Sequence, residues 1–218
     1  MEKSAFAKLE NFFSKYKKIL YKKGETILRA QDEPRGVLYL KKGYTKLYSV
    51  SKNAQELTLI IFKPEDFFPI MWAINATPHT YYMDAMTSVE LYQAPREEFL
   101  KFIKNDNELL FEINSRVLTR FGGLLKRMEH AMFGNAYSKV ASIIVIFVER
   151  HGLQDKKGIL VHLPVTHQDI AKLLGIARET VSIEMKKMQK KGLIEYRSRH
   201  LIVKNLPLLI EESSIDSV

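Results

Sequence analysis

Between Glu25 and about Pro95, apolar residues recur in short or alternating runs, at residues 26–28, 37–40, 45–48, 56–62 and 89–92. A period of two is what a half-buried strand requires, because successive side chains point to opposite faces of a sheet. Breakers fall between the runs at Gly24, Asp32-Glu-Pro34, Gly43, Ser51-Lys-Asn53 and Pro64-Glu-Asp66. That spacing predicts an antiparallel sandwich or jelly-roll barrel rather than βαβ units. After Pro95 the period lengthens. Leu110, Ile113, Val117, Leu124, Met128 and Ala131 keep a three/four alternation with Phe121 beside them, which predicts one long helix over 106–132. With Leu109, Phe111, Leu118 and Leu125 on its flanks, this stripe suits burial against its own barrel on one side and pairing with a second copy on another; burial within one chain is the competing reading. Gly122-Gly123 in its middle costs roughly 1 kcal/mol per residue relative to Ala, and so marks either close helix approach or a soft point.

Residues 137–152 read as a further helix ended by Gly152, and residues 159–163 as a short strand ended by Pro164. Thr166-His-Gln-Asp169 follows as a helix start, with the Thr hydroxyl capping the first turn and Asp169 favouring its positive end. That helix runs to Leu174 and stops at Gly175. A second occupies 178–190 and stops at Gly192, and residues 193–196 and 201–203 flank a polar turn as a hairpin. Helix, turn, helix and hairpin make a winged helix-turn-helix pattern. Val181, Met185 and Met188 are expected to face inward, and the polar end from Glu211 to Val218 is expected to fray.

Composition narrows the classes. The 218 residues carry 34 Lys+Arg against 25 Asp+Glu, a formal net charge of +9, and 46% hydrophobic residues, enough apolar mass for two compact units. Residues 172–199 hold eight cationic side chains against three acidic ones, so the C-terminal excess sits in one short stretch. Zero cysteines exclude disulfides, thiol nucleophiles and Cys-ligated zinc or iron–sulfur clusters. The Lys-rich amphipathic start has no signal-peptide core, and the longest apolar block, residues 143–148, is far short of the ~20 residues of a membrane span. A cytoplasmic protein with no membrane partner is expected.

The helix opening Arg178-Glu-Thr-Val-Ser182 has the chemistry of a reader of the DNA major groove. Arg forks onto guanine O6 and N7, Glu accepts from cytosine N4, and Thr or Ser reaches a phosphate or base edge. Lys186 and Lys187, then Lys190 and Lys191, follow as phosphate contacts, as do Arg197, Arg199 and His200 on the hairpin.

The run Thr166-His-Gln-Asp-Ile-Ala-Lys-Leu-Leu-Gly-Ile-Ala-Arg-Glu-Thr-Val-Ser182 resembles the DNA-binding motif of the Crp/Fnr family of bacterial transcription regulators. Lys23-Gly-Glu-Thr-Ile27, Leu40-Lys-Lys-Gly-Tyr44 and Phe62-Lys-Pro-Glu-Asp-Phe67 are similar to the turns of that family's sensor barrel, so the resemblance covers nearly the whole chain. It implies an α+β architecture: a cyclic-nucleotide-binding-like jelly-roll barrel over 1–105, a dimerisation helix and hinge over 106–135, and a winged helix-turn-helix over 136–218. It implies double-stranded DNA, a second copy of the chain and RNA polymerase as partners. By position, Arg178, Glu179 and Ser182 fall where the family reads bases and Thr166 and Gln168 where it touches the backbone. His167 and Thr180 belong to the same expected surface. Leu110, Ile113, Val117, Phe121, Leu124 and Met128 are the expected dimer contacts. The Arg common directly after that Ser is Ile183 here, which can meet a thymine methyl but cannot fork onto guanine.

The sensor end departs further. Cyclic-nucleotide-binding members hold the ribose with a Gly-Glu pair and the cyclic phosphate with Arg-Ser or Arg-Thr, since a buried anion needs a charge-assisted partner. Pro69-Ile70 and His79 stand at those places, so neither cyclic AMP nor cyclic GMP is expected to bind. Ile70, Met71, Trp72, His79, Thr80 and Tyr82 are the candidate effector pocket. The apolar and aromatic residues there suit plain core filling, an apolar small ligand, or haem with His79 or a Met as axial ligand. Of these, core filling is the ordinary case, no cofactor is assigned, and haem is disfavoured.

The six histidines are scattered, and the chain has no nucleophile elbow, phosphate-binding Gly loop or HExxH. No catalytic or metal site is expected. The expectation is therefore a homodimeric DNA-binding regulator; the alternative is a scaffolding module whose winged unit binds protein.

Overall fold

The computed structural model describes residues 2–197 and 200–213, with side chains from residue 6 onward. The chain forms two compact units that divide between Leu118 and Thr119.

The first unit contains α1 (Glu2–Phe13), β1 (Lys17–Tyr21), β2 (Thr26–Leu28), β3 (Val37–Lys42), β4 (Thr45–Val50), β5 (Glu56–Phe62), β6 (Phe67–Phe68), α2 (Ile70–Asn75), β7 (Tyr82–Ala85), β8 (Val89–Ala94) and α3 (Arg96–Lys104). α4 (Asn107–Phe133) starts in this unit. Two antiparallel sheets form the expected barrel, in the orders β1-β8-β3-β6 and β2-β7-β4-β5. Alternation along β3 explains the layers. Leu38 and Leu40 face the second sheet and pack with Met83, Ala85, Phe68 and Leu91, while Val37 and Tyr39 face outward onto Leu9, Phe13, Phe99, Leu109 and Ile113 of the helices. The first sheet is thus covered on both faces, which accounts for the four consecutive buried residues that open β3. The turn at Gly43 requires glycine: its φ is +87°, and a Cβ there would lie 2.3 Å from the Ser88 carbonyl oxygen. In the Phe62-Lys-Pro-Glu-Asp-Phe67 turn, the Asp66 carboxylate accepts from the Lys63 N–H at 2.9 Å.

The strands at 26–28 and 56–62 fall where the alternation placed them. β1, β6, β7 and the helices α2 and α3 were not anticipated; β6 spans two residues and α2 six, too few for either period to stand out.

The candidate effector pocket does not come together. Ile70 and Trp72 sit on α2 and pack onto the helix-side core, whereas Tyr82 alternates with the core residue Met83 and so points away from the barrel interior, stacked on Tyr48 at 5.4 Å. These residues lie on opposite sides of the barrel. Met71 and Thr80 are exposed. His79 is buried, its Nε2 has no hydrogen-bond partner, and desolvation holds its pKa below the ordinary 6.5 despite a backbone hydrogen bond to Tyr81 and the charge of Asp32. A folded-state pKa below the unfolded one means that the unfolded chain takes up the proton first on acidification. Stability is therefore expected to fall as pH drops below 6.5, and to stop falling from this source once pH passes the folded-state pKa. Urea midpoints at pH 7.5 and pH 5 should separate less in His79→Asn than in the unsubstituted protein; an equal separation would count against this origin.

α4 is helical for 27 residues, straight through Gly122-Gly123. An added Cβ at either glycine meets nothing within 4 Å, so close approach within the chain is not what selects them. Ile113 is 1% exposed and belongs to the barrel's helix-side core with Leu109, which corrects its assignment as a dimer contact. Leu110 is half-buried. Val117, Phe121, Leu124 and Met128 do stand exposed on one helix face, joined by Leu118, Leu125 and Met132.

The second unit holds the end of α4, then α5 (Ala136–His151), β9 (Gly152–Asp155), β10 (Gly158–Val161), α6 (His167–Leu174), α7 (Arg178–Lys190), β11 (Ile194–Arg197), β12 (His200–Val203) and α8 (Leu206–Ser213). The hairpin is extended to a four-stranded antiparallel sheet, β11-β12-β10-β9. The expected frayed end is instead helical as far as Ser213. α8 buries Leu209 completely, its Glu212 accepts from Tyr137 Oη and pairs with Lys191 at 2.7 Å, and its Ser213 carbonyl contacts His130 Nε2 at 2.9 Å. Residues 214–218 lie outside the described residues.

Candidate nucleic-acid interface

α6 begins where the sequence placed it because Thr166 and Asp169 close a reciprocal box. Thr166 Oγ1 accepts from the Asp169 N–H at 3.2 Å, and Asp169 Oδ2 accepts from the Thr166 N–H at 2.8 Å and from Thr166 Oγ1 at 2.7 Å. The Thr166 hydroxyl proton is therefore committed to Asp169, and Thr166 serves first as the cap. Gly175, at φ +65°, ends the helix in the left-handed region. Ile170, Ala171 and Leu173 bury the inner face of α6.

α7 follows with Val181, Met185 and Met188 at 0% exposure, the three positions expected to point inward. Their burial sets the helix rotation and turns Arg178, Glu179, Ile183, Lys186 and Lys190 outward, all exposed, with Thr180 and Ser182 half-buried. Arg178 and Glu179 are in the first turn, where side chains extend past the end of the helix toward whatever it docks against.

Several expected phosphate contacts have partners within the protein. Lys187 forms a salt bridge at 2.8 Å to Glu184, whose side chain is buried on the inner face. Lys187, still exposed, thus compensates a carboxylate that would otherwise be desolvated alone, and Lys186, one residue earlier, is exposed beside it. Arg197 on β11 pairs with Asp155 on β9 at 3.0 Å and lies 3.7 Å from Glu195, which ties the wing strands together. Lys191 pairs with Glu212 and stands over the Tyr137 ring. His200 is exposed on β12 beside His162. Arg199 lies outside the described residues.

One connection was not visible in the sequence. His167, half-buried on α6, contacts Ser182 Oγ of α7 through Nδ1 at 2.8 Å and Tyr196 Oη of β11 through Nε2 at 3.2 Å. Burial is the main cause holding the His167 pKa below its ordinary value, and the charges of Arg178 and Lys186 add to it. Burial also pushes the Tyr196 hydroxyl up to about 12. Nothing in the 3.6-residue period announces this bridge, because the partners of His167 lie 15 and 29 residues further along the chain and meet it only when α6, α7 and the wing dock.

A jelly-roll barrel combined with a winged helix-turn-helix whose second helix presents Arg178 and Glu179 outward is the architecture of a helix-turn-helix transcription regulator. The cyclic nucleotide-binding domain profile matches residues 18–106, and the Crp-like helix-turn-helix domain profile matches residues 138–212. The chain belongs to the Crp/Fnr family of transcription regulators, and its relatives are regulators rather than enzymes. The global nitrogen regulator of Nostoc sp. is 26% identical over 84% of this chain and 83% of its own length. The nitrogen fixation regulation protein FixK of Bradyrhizobium diazoefficiens is 26% identical over 86% of this chain and 78% of its own. Among solved structures, a CooA mutant from Carboxydothermus hydrogenoformans superposes with a TM-score of 0.77 at 23% identity, covering 94% of this chain and 90% of that one. FixK2 from Bradyrhizobium japonicum superposes with a TM-score of 0.75 at 19% identity, covering 92% and 98%. Among the described residues no helix is long and apolar enough to cross a membrane.

Proposed function

We propose that this protein is a sequence-specific regulator that binds an inverted-repeat DNA site as a homodimer, through α7 of each copy. The observation carrying this reading is the first turn of α7, where Arg178 and Glu179 stand exposed while Val181, Met185 and Met188 fix the helix on the unit's core. Arg178 forks onto a guanine, Glu179 accepts from a cytosine amino group, and Ile183 packs against a thymine methyl. Thr166, Gln168 and Lys186 border this surface as backbone contacts. Two such helices related by a two-fold axis enter successive major grooves about 34 Å apart, which makes the target an inverted repeat. The exposed apolar face of α4, from Val117 through Met128, supplies the dimer contact. The work of such a regulator places it with the chromosome, in the cytoplasm. RNA polymerase as a partner rests on the family resemblance alone.

The test is selection of genomic fragments by the purified protein at moderate salt, followed by sequencing. An enriched inverted repeat supports the reading. Retention that ignores sequence, both with and without cell extract, would reject it. Affinity for the enriched repeat should fall steeply as salt rises, because several phosphates release their counterions; a flat salt dependence would favour a protein-binding winged unit instead.

The barrel, in this reading, has lost the cyclic-nucleotide contacts. Ile70 opens α2 where the family's ribose acceptor would stand and packs onto the helix-side core, and His79 is buried and held toward its neutral form. Neither gives a cyclic phosphate the charge-assisted partner it needs. Calorimetry with cyclic AMP and cyclic GMP is expected to show no heat of binding at 100 µM ligand (about 100 µM being well above the micromolar range of a working site). Stoichiometric micromolar binding would overturn the assignment. An effector, if one acts, changes the separation of the two α7 helices through residues 106–135, with Gly122-Gly123 and Gly134-Asn135 as the soft points.

A further inference from the structure

The bridge from His167 to Ser182 and Tyr196 contains one hydrogen-bonding choice that its geometry settles. Ser182 Oγ lies 3.0 Å from the Arg178 carbonyl oxygen, which can only accept, so the serine hydroxyl proton points there. The 2.8 Å contact between Ser182 Oγ and His167 Nδ1 must then carry its proton on Nδ1. Nε2 of the neutral ring is left with a lone pair, and Tyr196 Oη donates to it at 3.2 Å. The opposite tautomer would turn the serine proton toward Nδ1 and leave two oxygen lone pairs facing each other at 3.0 Å. With the proton on Nδ1, each of the three contacts holds one proton.

The consequence falls on Ser182. A free serine hydroxyl rotates to donate or accept, and so reads a base edge ambiguously. Here its proton is spent on the Arg178 carbonyl and one lone pair on His167 Nδ1–H. What it keeps for DNA is a single lone pair. We propose that His167 is a positioning residue that makes Ser182 an acceptor only, so that the base facing Ser182 must offer an amino group in the major groove: adenine N6 or cytosine N4, and not thymine O4 or guanine O6. This inference rests on the proposed DNA-binding function and adds a specificity rule that the position of Ser182 alone does not give. Tyr196 extends the rule to the wing: by donating to Nε2 it holds the tautomer that presents Nδ1–H to the serine.

The test uses the full-length protein and duplexes derived from the enriched repeat, with each of the four bases placed in turn opposite Ser182. One hydrogen bond is worth about 1 kcal/mol, so the unsubstituted protein should prefer an amino-bearing base about fivefold. In His167→Ala that preference should collapse to about unity. His167→Asn places an amide N–H near the position of Nδ1–H and should restore the preference. In a Ser182→Ala background, His167→Ala should change base preference no further, as expected when one residue acts through the other. Long-range proton–nitrogen spectra of the His167 ring should also show Nδ1 protonated and Nε2 unprotonated at pH 7.5.

Three results would overturn the proposal. One is an equal loss on all four duplexes in His167→Ala, which would make the imidazole a phosphate contact. The second is a preference for thymine or guanine in the unsubstituted protein. The third is His167→Asn behaving like His167→Ala while melting at the temperature of the unsubstituted protein. If the unsubstituted protein enriches no repeat at all, it is the DNA-binding reading that fails, and this specificity rule goes with it.

Discussion

Replacing Arg178 by Ala is expected to weaken binding to the enriched repeat by roughly 1–3 kcal/mol per half-site and to relax preference at the base pair it faces. The guanidinium sits in the first turn of α7, exposed, with its backbone carbonyl engaged by Ser182 Oγ at 3.0 Å, so the side chain is presented from a fixed stretch of helix. Truncation removes no buried contact. The melting temperature should therefore stay within the range of ordinary surface substitutions while affinity falls. Arg178 also contributes to holding His167 neutral, so its removal should let the His167 pKa rise toward the ordinary value of 6.5. Binding isotherms on the enriched repeat and on a scrambled duplex separate the possibilities. Equal losses on both would make Arg178 a phosphate contact and would leave base reading on α7 to Glu179, Ser182 and Ile183.

Replacing Phe121 by Asp is expected to have the larger effect on assembly. Phe121 is 54% exposed in the single chain, in the middle of a face that continues through Leu124, Leu125 and Met128. Losing one buried Phe side chain costs about 2–3 kcal/mol, and an unpaired carboxylate in its place adds a further penalty of similar size. Dimer dissociation should strengthen by roughly a hundredfold or more, since each 1.4 kcal/mol is about a factor of ten. Because more than half of the Phe121 side chain is exposed in the single chain and it belongs to none of the buried positions, circular dichroism should be unchanged. Sedimentation should show a monomer at concentrations where the unsubstituted protein is dimeric, and affinity for the inverted repeat should fall toward that of a single half-site. An unchanged sedimentation coefficient would remove α4 as the dimer contact. Ile113→Asp makes the contrasting control: at 1% exposure in the helix-side core, it should lower the stability of the barrel itself.

The two substitutions also mark where the sequence was sufficient and where it was not. The rotation of α7 was legible because Val181, Met185 and Met188 repeat at helical spacing, and a helix packed on a core has one way to bury such a stripe. Arg178 and Glu179 then had to face outward. The stripe of α4 was equally legible, but a period cannot say which neighbour covers each part of it. Ile113 and Val117 are one turn apart on the same stripe, and the structure gives Ile113 to the barrel and leaves Val117 exposed.

The same limit explains the sensor end. The sequence placed Ile70, Trp72, His79 and Tyr82 within thirteen residues of one another and suggested one pocket. Strand pairing decided otherwise: Tyr82 lies opposite Tyr48 in the second sheet, on the outward side of the pleat, while α2 carries Ile70 and Trp72 onto the covering helices of the first. An alternating strand sends neighbours to opposite faces, so proximity in sequence is no guide to a shared cavity there.

What the sequence by itself determined was local: β2 to β5 and β8 from their short apolar or alternating runs, α4 to α7 from their period of 3.6, the ends of α6 and α7 from Thr166, Gly175 and Gly192, and the family from the run 166–182. What only the tertiary structure decided was which polar groups meet. Glu184 turned inward beneath Lys187 gives that surface cation its partner, β9 brings Asp155 beside Arg197, and α8 docks Glu212 against Tyr137 and Lys191. His167 was one residue of a helix start until α7 and β11 closed on both of its ring nitrogens. Periodicity encodes which face of an element is buried, because burial free energy depends on each side chain's own apolar area. Hydrogen bonds and ion pairs depend on a second group arriving within about 3 Å at the right angle, and that is fixed only when the elements pack.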